Sequence, residues 1–324
     1  MAGLEGLRIV VTGASGFVGS NVVRFLAHEG VEPYLLVRPE SSRWRLQGIR
    51  EPLRIHPGDL TDGDSIRRWL RSVEPVGVVH LASYGVGRGQ VDSRRMLQVN
   101  VEGTSTMLDA AVESGCEWMI NTGSVSETGT SPDLPEEPRP PMAMDYGQSK
   151  ALATRACATV ARERGFHVVT LRLFTPFGPF EDPERLIPTV LLGGIRNAPV
   201  KLSVPSSVRD FIFVRDVETA YGRAAELAGR LRPGTVLEVG SGRLTSVGDV
   251  VTTVEQVLER KLAVEWGSYP STDSLRGTMR PAQIAGTSSE IHWSPSHTLR
   301  SGLDEAYRWF LANGSLYPPP KDGC

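Results

Sequence analysis

Arg8-Ile9-Val10-Val11-Thr12-Gly13-Ala14-Ser15-Gly16-Phe17-Val18-Gly19 is the stretch whose reading decides the fold. Arg8 to Thr12 is a short apolar run suited to a strand buried on both faces. Three glycines follow directly, and Val22, Val23, Phe25 and Leu26 then fall at helical spacing. A strand, a glycine-rich turn and a helix make a phosphate cradle. The glycines let the backbone approach a pyrophosphate, and the helix N-terminus supplies N–H donors and its dipole. Glycine also simply permits a tight turn. The placement between a buried strand and a helix favours nucleotide binding at Gly13, Gly16 and Gly19.

Outward from this stretch, strands and helices alternate. Tyr34 to Val37 reads as a second strand, and it ends in Arg38-Pro39-Glu40-Ser41-Ser42-Arg43 instead of an acidic residue. Arg38 and Arg43 can hold a ribose 2′-phosphate, for which a guanidinium fork is well shaped. NADP(H) is therefore preferred. NAD(H), with both arginines merely solvated, is the alternative. Leu53 to His56 is a third strand, and Thr61 or Asp62 caps a helix through Ile66, Trp69 and Leu70. Val76 to Leu81 is a buried strand whose His80 reads as a packed core histidine. A long amphipathic segment, about 91–114, holds Asn100 and Gly103; Glu117 to Thr122 is a fifth strand opening into Gly123-Ser124-Val125-Ser126. Such alternation predicts an α/β fold with a Rossmann-type, doubly wound parallel sheet. Ligands bind outside the carboxyl ends of its strands, where Gly13, Ala82, Ser83 and Ser124 fall. Ser131 to Pro141, rich in Pro and acidic residues, reads as a surface loop.

Met144-Asp145-Tyr146-Gly147-Gln148-Ser149-Lys150 then places a phenol and an ammonium four residues apart at the start of an Ala-rich segment. On a helix these stack on one face. The Lys charge favours the phenolate, which lets the Tyr exchange a proton near neutral pH; a surface Tyr and a solvated Lys sharing a helix face by chance is the alternative. Phe166 to Phe174 is a sixth strand. The alternation weakens after it, with a helix near 184–196, a strand over 210–214, a helix from Val217, a strand over 236–239 and a last helix over 299–311. This pattern predicts a dinucleotide-binding domain over 1–174 and 206–240. A smaller, interwoven substrate domain covers 175–205 and 241–324.

Composition narrows the classes. A net charge of −2 with scattered Lys and Arg gives no electrostatic case for nucleic acid or an anionic membrane. No apolar run approaches bilayer length, and the opening residues lack the basic start and apolar core of a signal peptide. Cys116, Cys157 and Cys324 are far apart and form no metal-ligand spacing. A cytoplasmic protein with reduced thiols and no metal is expected.

In order along the chain, these pieces resemble the extended short-chain dehydrogenase/reductases, the nucleotide-sugar epimerase and dehydratase superfamily. The resemblance rests on Thr12 to Gly19, Asp59-Leu60-Thr61-Asp62, His80-Leu81-Ala82-Ser83, Asn100-Val101-Glu102-Gly103-Thr104, and Ser124 followed by Tyr146 and Lys150. Arg172 to Pro179, Arg209 to Val214, Trp293-Ser294-Pro295 and Gly302-Leu303 with Trp309 continue it. It implies that Gly13, Ser15, Gly16, Phe17, Val18 and Gly19 hold the pyrophosphate and that Asp59 and Leu60 meet the adenine. Leu81, Ala82, Ser83, Asn100, Thr122 and Phe174 would line the rest of the cofactor groove. Tyr146 would be the acid/base, Lys150 would bind the nicotinamide ribose, and Ser124 would hydrogen-bond the reacting oxygen. Tyr84, Thr175, Arg209 and Arg280 would face the sugar nucleotide; for the two arginines, ordinary ion pairing is the alternative. A homodimer through helices near 91–114 and 145–164 is implied as well.

Two departures from the family pattern direct the chemistry. Dehydratases of the superfamily carry an Asp-Glu pair after the catalytic hydroxyl, and related decarboxylases a Glu two positions after it. Here Val125 and Ser126 stand there, and neither is a carboxylate acid or base. Thr175 replaces an Asn that contacts the sugar nucleotide in many members. The expectation is NADPH-dependent reduction of a 4-keto-(deoxy)sugar nucleotide. Leu36-Val37-Arg38-Pro39 and Asn121-Thr122-Gly123-Ser124 look most like 4-ketoreductases of the CDP-abequose-synthase kind. A nucleotide-sugar 4-epimerase with retained NAD is the alternative, and a non-catalytic NAD(P)-sensing regulator is a third.

Overall fold

β1 (Arg8–Thr12) lies inside a seven-stranded, all-parallel sheet. Its companions are β2 (Glu32–Val37), β3 (Arg54–Pro57), β4 (Gly77–His80), β5 (Trp118–Ser124), β6 (His167–Leu173) and β11 (Val236–Val239). The computed structural model describes residues 3–87, 89–128, 145–269 and 280–317. The expected surface loop over 131–141 and Cys324 lie outside the described residues. Spatial order is β11-β6-β5-β4-β1-β2-β3, so the chain reverses its direction of winding between β1 and β4. That reversal opens a crevice above the carboxyl ends of β1 and β4.

Two layers of helix cover the sheet because its strands are apolar on both sides. Ile9 and Val11 of β1 pack with Val22, Val23 and Leu26 of α1 (Phe17–His28) and with Val217 and Ala220 of α7 (Val214–Leu227). The intervening Val10 belongs to the opposite layer, with Ile66 and Leu70 of α2 (Gly63–Val73), Met107 and Leu108 of α4 (Gly103–Glu113), and Cys157 and Ala161 of α5 (Tyr146–Arg164). Val78 and Val79, and Met119 and Ile120, divide the same way. Alternate residues of a strand point to opposite faces, so a continuous apolar run fills both layers. Each such buried side chain contributes about 1.5–3 kcal/mol.

Local chemistry ends the helices where they must turn. Asp62 caps α2 by accepting from the Ser65 amide at 3.0 Å. Asp145 and Gln148 form a reciprocal capping box at the start of α5, and Gly165 ends that helix in the left-handed region at φ 63°. No helix among the described residues is long and apolar enough to cross a membrane.

Beyond β6 the chain builds a third apolar cluster. Phe177, Ile187, Val190, Phe211, Val250, Leu303 and Phe310 pack between α6 (Leu186–Arg196), α8 (Val247–Leu258) and the helix Leu299–Asn313. Three two-stranded ribbons accompany it: β7 (Thr175–Phe177) with β10 (Phe211–Phe213), β9 (Val208–Arg209) with β12 (Thr245–Ser246), and β8 (Val200–Lys201) with β13 (Val264–Glu265). Strands of two or three residues carry too little alternation to be legible in sequence. α7 starts at Val214, before the expected Val217, because β10 stops at Phe213 and the helix begins at once. The expected helix over 91–114 is three pieces: α3 (Ser93–Met96), a π-helical segment Leu97–Glu102, and α4.

Candidate active site

The glycine-rich turn has the shape that a dinucleotide pyrophosphate requires. Gly13 adopts φ 68°, and a Cβ there would lie 2.5 Å from the Ala82 amide nitrogen at the end of β4. A Cβ on Gly19 would overlap the Gly13 carbonyl. The turn is thus closed by backbone on backbone, which only glycine allows. Gly16 is the extended N-cap of α1; no side chain caps this helix and no acidic residue sits in its first turn. Its N–H donors and dipole remain available to an anion. Ser15, Phe17 and Val18 are half-buried along the same edge. These residues fit a bound NAD(P).

Beyond β2, Arg38 and Arg43 are both exposed, and Arg38 Nη1 lies 3.3 Å from Glu40 Oε1. Asp59 is engaged: Oδ1 accepts from the Thr61 amide and hydroxyl at 2.9 Å each, and Oδ2 from Arg95 at 3.0 Å. Burial acts to raise its carboxyl, but these bonds and the Arg95 charge hold it below the usual range. Leu60 is buried against Gly103.

Below the crevice runs a chain of polar groups. The Ala82 amide donates to Thr12 Oγ1 at 3.2 Å, Thr12 Oγ1 lies 2.8 Å from His80 Nδ1, and His80 Nε2 lies 3.1 Å from Thr104 Oγ1. Thr104 spends its proton on the Asn100 carbonyl at 2.7 Å, so His80 donates through Nε2 and accepts at Nδ1. Burial, and then the Lys150 charge, push His80 down to about 3. It is a neutral core histidine.

Asn100 carries the chain to α5. Its Oδ1 accepts from the Tyr84 amide, and its Nδ2 donates to the Tyr84 carbonyl and to Ser149 Oγ, all at 2.8 Å. Ser149 Oγ in turn donates to the Tyr146 carbonyl at 2.8 Å. The π-helical segment allows this inward reach, and such segments recur at functional sites. Leu81 and Ala82 follow β4, and the next residue, Ser83, hydrogen-bonds Tyr146. A Cβ on Gly85 would come 3.1 Å from Tyr146 Cδ2.

Ser124, Tyr146 and Lys150 converge from β5 and the first turn of α5. Ser124 is nearly buried, and Lys150, one turn after Tyr146, is 1% exposed. Burial pushes the Tyr146 phenol up to about 12, against hydrogen bonds to the Ser124 and Ser83 side chains. Glu127 raises it further and Arg185 lowers it. Desolvation outweighs these hydrogen bonds and Arg185, so the phenol is raised where its spacing from Lys150 suggested a lowering. Burial also lowers Lys150, which Glu127 opposes. Thr122 Oγ1 is 2.6 Å from the buried Tyr221 hydroxyl.

The carboxylate missing at positions 125 and 126 is present one residue later, in a different role. Glu127 Oε1 accepts from the Ser124 amide at 2.6 Å; Oε2 accepts from Thr154 Oγ1 and Arg172 Nη2, each at 3.1 Å. Arg172 also faces Glu238 at 3.6 Å, and Glu238 grips Arg280 through both oxygens. Arg280 lies 5.7 Å above the ring of the buried Phe174. It is thus built into an ion ladder. Arg209 donates to the Val208 carbonyl at 2.6 Å, and the Thr175 amide donates to the Asp210 carbonyl at 3.0 Å. Asp210 itself is fully buried and accepts from the amides of Ser241, Gly242 and Ala282.

Of the residues expected at the site, Ser83 and Ser124 meet Tyr146 directly, Lys150 follows one turn along α5, and Asn100 reaches that helix through Ser149. Arg38 and Arg43 stay on the outer loop, and Arg280 on the Glu238 side. Glu127, Ser149, Arg185 and Tyr221 went unread in sequence. A Glu in a turn or an Arg before a helix looks like any solvated charge, and only packing distinguishes them.

Comparison with known proteins agrees with this geometry. The model of the NAD dependent epimerase/dehydratase family matches residues 9–240. The chain is 28% identical over 333 residues to the dTDP-glucose 4,6-dehydratase of Streptomyces griseus, covering 96% of each chain. It is 28% identical over 338 residues to the UDP-glucose 4-epimerase of Streptomyces lividans, covering 96% of this chain and 98% of that protein. The solved structure of MoeE5 in complex with UDP-glucuronic acid and NAD superposes with a TM-score of 0.78 at 27% identity, over 94% of this chain and 99% of that one. With the phosphate cradle and the Ser124, Tyr146 and Lys150 constellation in place, the chain belongs to the NAD dependent epimerase/dehydratase family, as an enzyme of the extended short-chain dehydrogenase/reductase type.

Proposed function

We propose that the protein is a nucleotide-sugar epimerase that oxidises and re-reduces one carbinol carbon, C4 in the simplest case, of a nucleotide-diphosphate sugar. The single observation that carries this reading is Ser124 meeting Tyr146, with Lys150 one turn on, and among the described residues no available carboxylate beside them. Val125 and Ser126 cannot act as acid or base. Both oxygens of Glu127 are already taken by the Ser124 amide, Thr154 and Arg172. Elimination of water needs a free acid and base, so dehydration lacks its groups. The similarity to a UDP-glucose 4-epimerase supports the same choice.

In this reading residues 1–174 and 206–240 hold NAD(P), and 175–205 with 241–324 hold the sugar nucleotide. Bound NAD(P) supplies the hydride chemistry at the carbinol carbon. Tyr146 takes the hydroxyl proton and later returns it, while the Ser124 hydroxyl polarises the same oxygen. Lys150, as an ammonium, stabilises the phenolate that burial alone disfavours. Asn100 fixes the Tyr84 backbone and, through Ser149, the start of α5.

A second reading is net NADPH-dependent reduction of a 4-keto-(deoxy)sugar nucleotide, the chemistry of CDP-abequose-synthase-like ketoreductases. Arg38 and Arg43, exposed beyond β2, favour it as partners for a 2′-phosphate. The test has two arms. Nucleotide released on denaturing the purified protein is identified, and UDP-, dTDP-, CDP- and GDP-sugars, including 4-keto-6-deoxy forms, are assayed with and without NADPH. Retained NAD with interconversion of 4-epimers supports the first reading; consumption of NADPH with a keto sugar supports the second. Loss of water from a 4,6-dihydroxy sugar would sink both.

A further inference from the structure

We propose that Glu127 is a positioning residue of the proton-transfer site: its buried carboxylate pins the turn carrying Ser124 to β6 and α5 and sets the electric field at Tyr146 and Lys150. This inference deepens the proposed function and rests on it for the role of Tyr146. The Glu127 side chain is 2% exposed, and each of its two oxygens has a donor. Oε1 holds the Ser124 amide at 2.6 Å; Oε2 holds Thr154 of α5 at 3.1 Å and Arg172 of β6 at 3.1 and 3.3 Å. Gly123 makes the room, since a Cβ there would lie 2.6 Å from Glu127 Oε1. The carboxylate therefore acts on the backbone of the residue whose hydroxyl meets Tyr146.

The charge also matters, because Lys150 and the Glu127 side chain are shut off from solvent. Lys150 is buried and burial lowers its ammonium; Glu127 opposes that loss. The same charge raises Tyr146, and Arg185 at the start of α6 works against it. Arg172 partly neutralises Glu127 and is itself shared with Glu238 of β11. Cys157 of α5 and His80 of β4 face Lys150 from its other sides. Glu127 raises the phenol, and Arg172 offsets that charge across their ion pair, so the two act in opposition.

That opposition supplies the test. 3,5-Difluorotyrosine is placed at position 146 by codon suppression, because fluorination brings the phenol into a range where the fold survives. Its midpoint is read by ¹⁹F NMR in the full chain, alone and in Glu127→Gln and Arg172→Gln backgrounds. Glu127→Gln keeps the shape and an acceptor for Ser124 while removing the charge. Its midpoint is expected to fall by on the order of one pH unit. Arg172→Gln leaves the carboxylate less compensated, so its midpoint is expected to rise. An unchanged midpoint in both, or movement in the same direction, overturns the proposal. Should Glu127→Gln fail to fold, the direction in Arg172→Gln alone decides: a rise supports it, and no change or a fall overturns it. A merely structural Glu127 would lower thermal stability without moving the phenol. Midpoints that move in an enzyme inert toward every nucleotide sugar would instead strike at the proposed reaction and leave this inference standing.

Discussion

Gly147 sits against the Ser126 carbonyl oxygen so closely that an added Cβ would overlap it. The residue after Tyr146 therefore packs directly on the turn after Ser124, and this contact sets how far apart the phenol and the hydroxyl stand. Gly147→Ala must push α5 away from that turn. The expected result is a loss of about 1–3 kcal/mol of stability, with turnover falling more steeply than the melting temperature implies. Calorimetry beside steady-state kinetics checks it. Full activity with a normal melting temperature would show that the two elements are not in register.

Tyr146→Phe removes the proposed proton carrier while keeping the ring that packs near Gly85. Turnover should fall by about 10²–10⁴-fold. Cofactor affinity, followed by fluorescence titration, should stay nearly unchanged, because the glycine cradle is untouched. Retained activity would end the proposed mechanism.

At Gly13, backbone geometry and close approach act together. Alanine must adopt φ 68°, a left-handed conformation costing about 1–2 kcal/mol, and must also displace the Leu81–Ala82 backbone. Gly13→Ala should therefore weaken NAD(P) binding by more than tenfold, measured by equilibrium titration on protein shown by circular dichroism to be folded.

The loop after β2 offers a test of cofactor choice. Arg38→Asp should move the NADPH-to-NADH preference toward NADH, since a carboxylate accepts from a ribose 2′-hydroxyl and repels a 2′-phosphate. The ratio of affinities for the two cofactors is the measurement. A ratio equal to that of the unmodified protein would remove the 2′-phosphate argument and with it the ketoreductase reading.

Acid should expose His80. Its folded value lies near 3, against 6.5 for the free side chain. Between these values the unfolded chain binds the additional proton, so stability rises with pH through that window. The contribution is fully present above about 6.5 and is lost as pH falls toward 3. Thermal melts from pH 7 to 5 should show a decline in the unmodified protein that is shallower in His80→Gln. Parallel curves would mean that His80 is already protonated in the native state.

The sequence by itself determined the sheet and singled out Ser124, Tyr146 and Lys150 as candidates for one site. Continuous apolar runs such as Ile9 to Val11 fit only strands covered on both faces, and glycines at 13, 16 and 19 fit only a turn with backbone against backbone. Ser124 at a strand end and Tyr146 one turn before Lys150 follow from spacing along single elements. Tertiary structure alone decided what those groups feel. The phenol is raised because burial outweighs a nearby cation, and solvation depends on neighbours far apart in the chain. Glu127 is a buried clamp because Arg172, forty-five residues later, arrives beside it on β6. Arg280 is committed to Glu238 because β11 joins the sheet next to β6. Periodicity fixes which way a side chain points within its own element; only the packing of elements fixes the charge, the partner and the dryness it meets there.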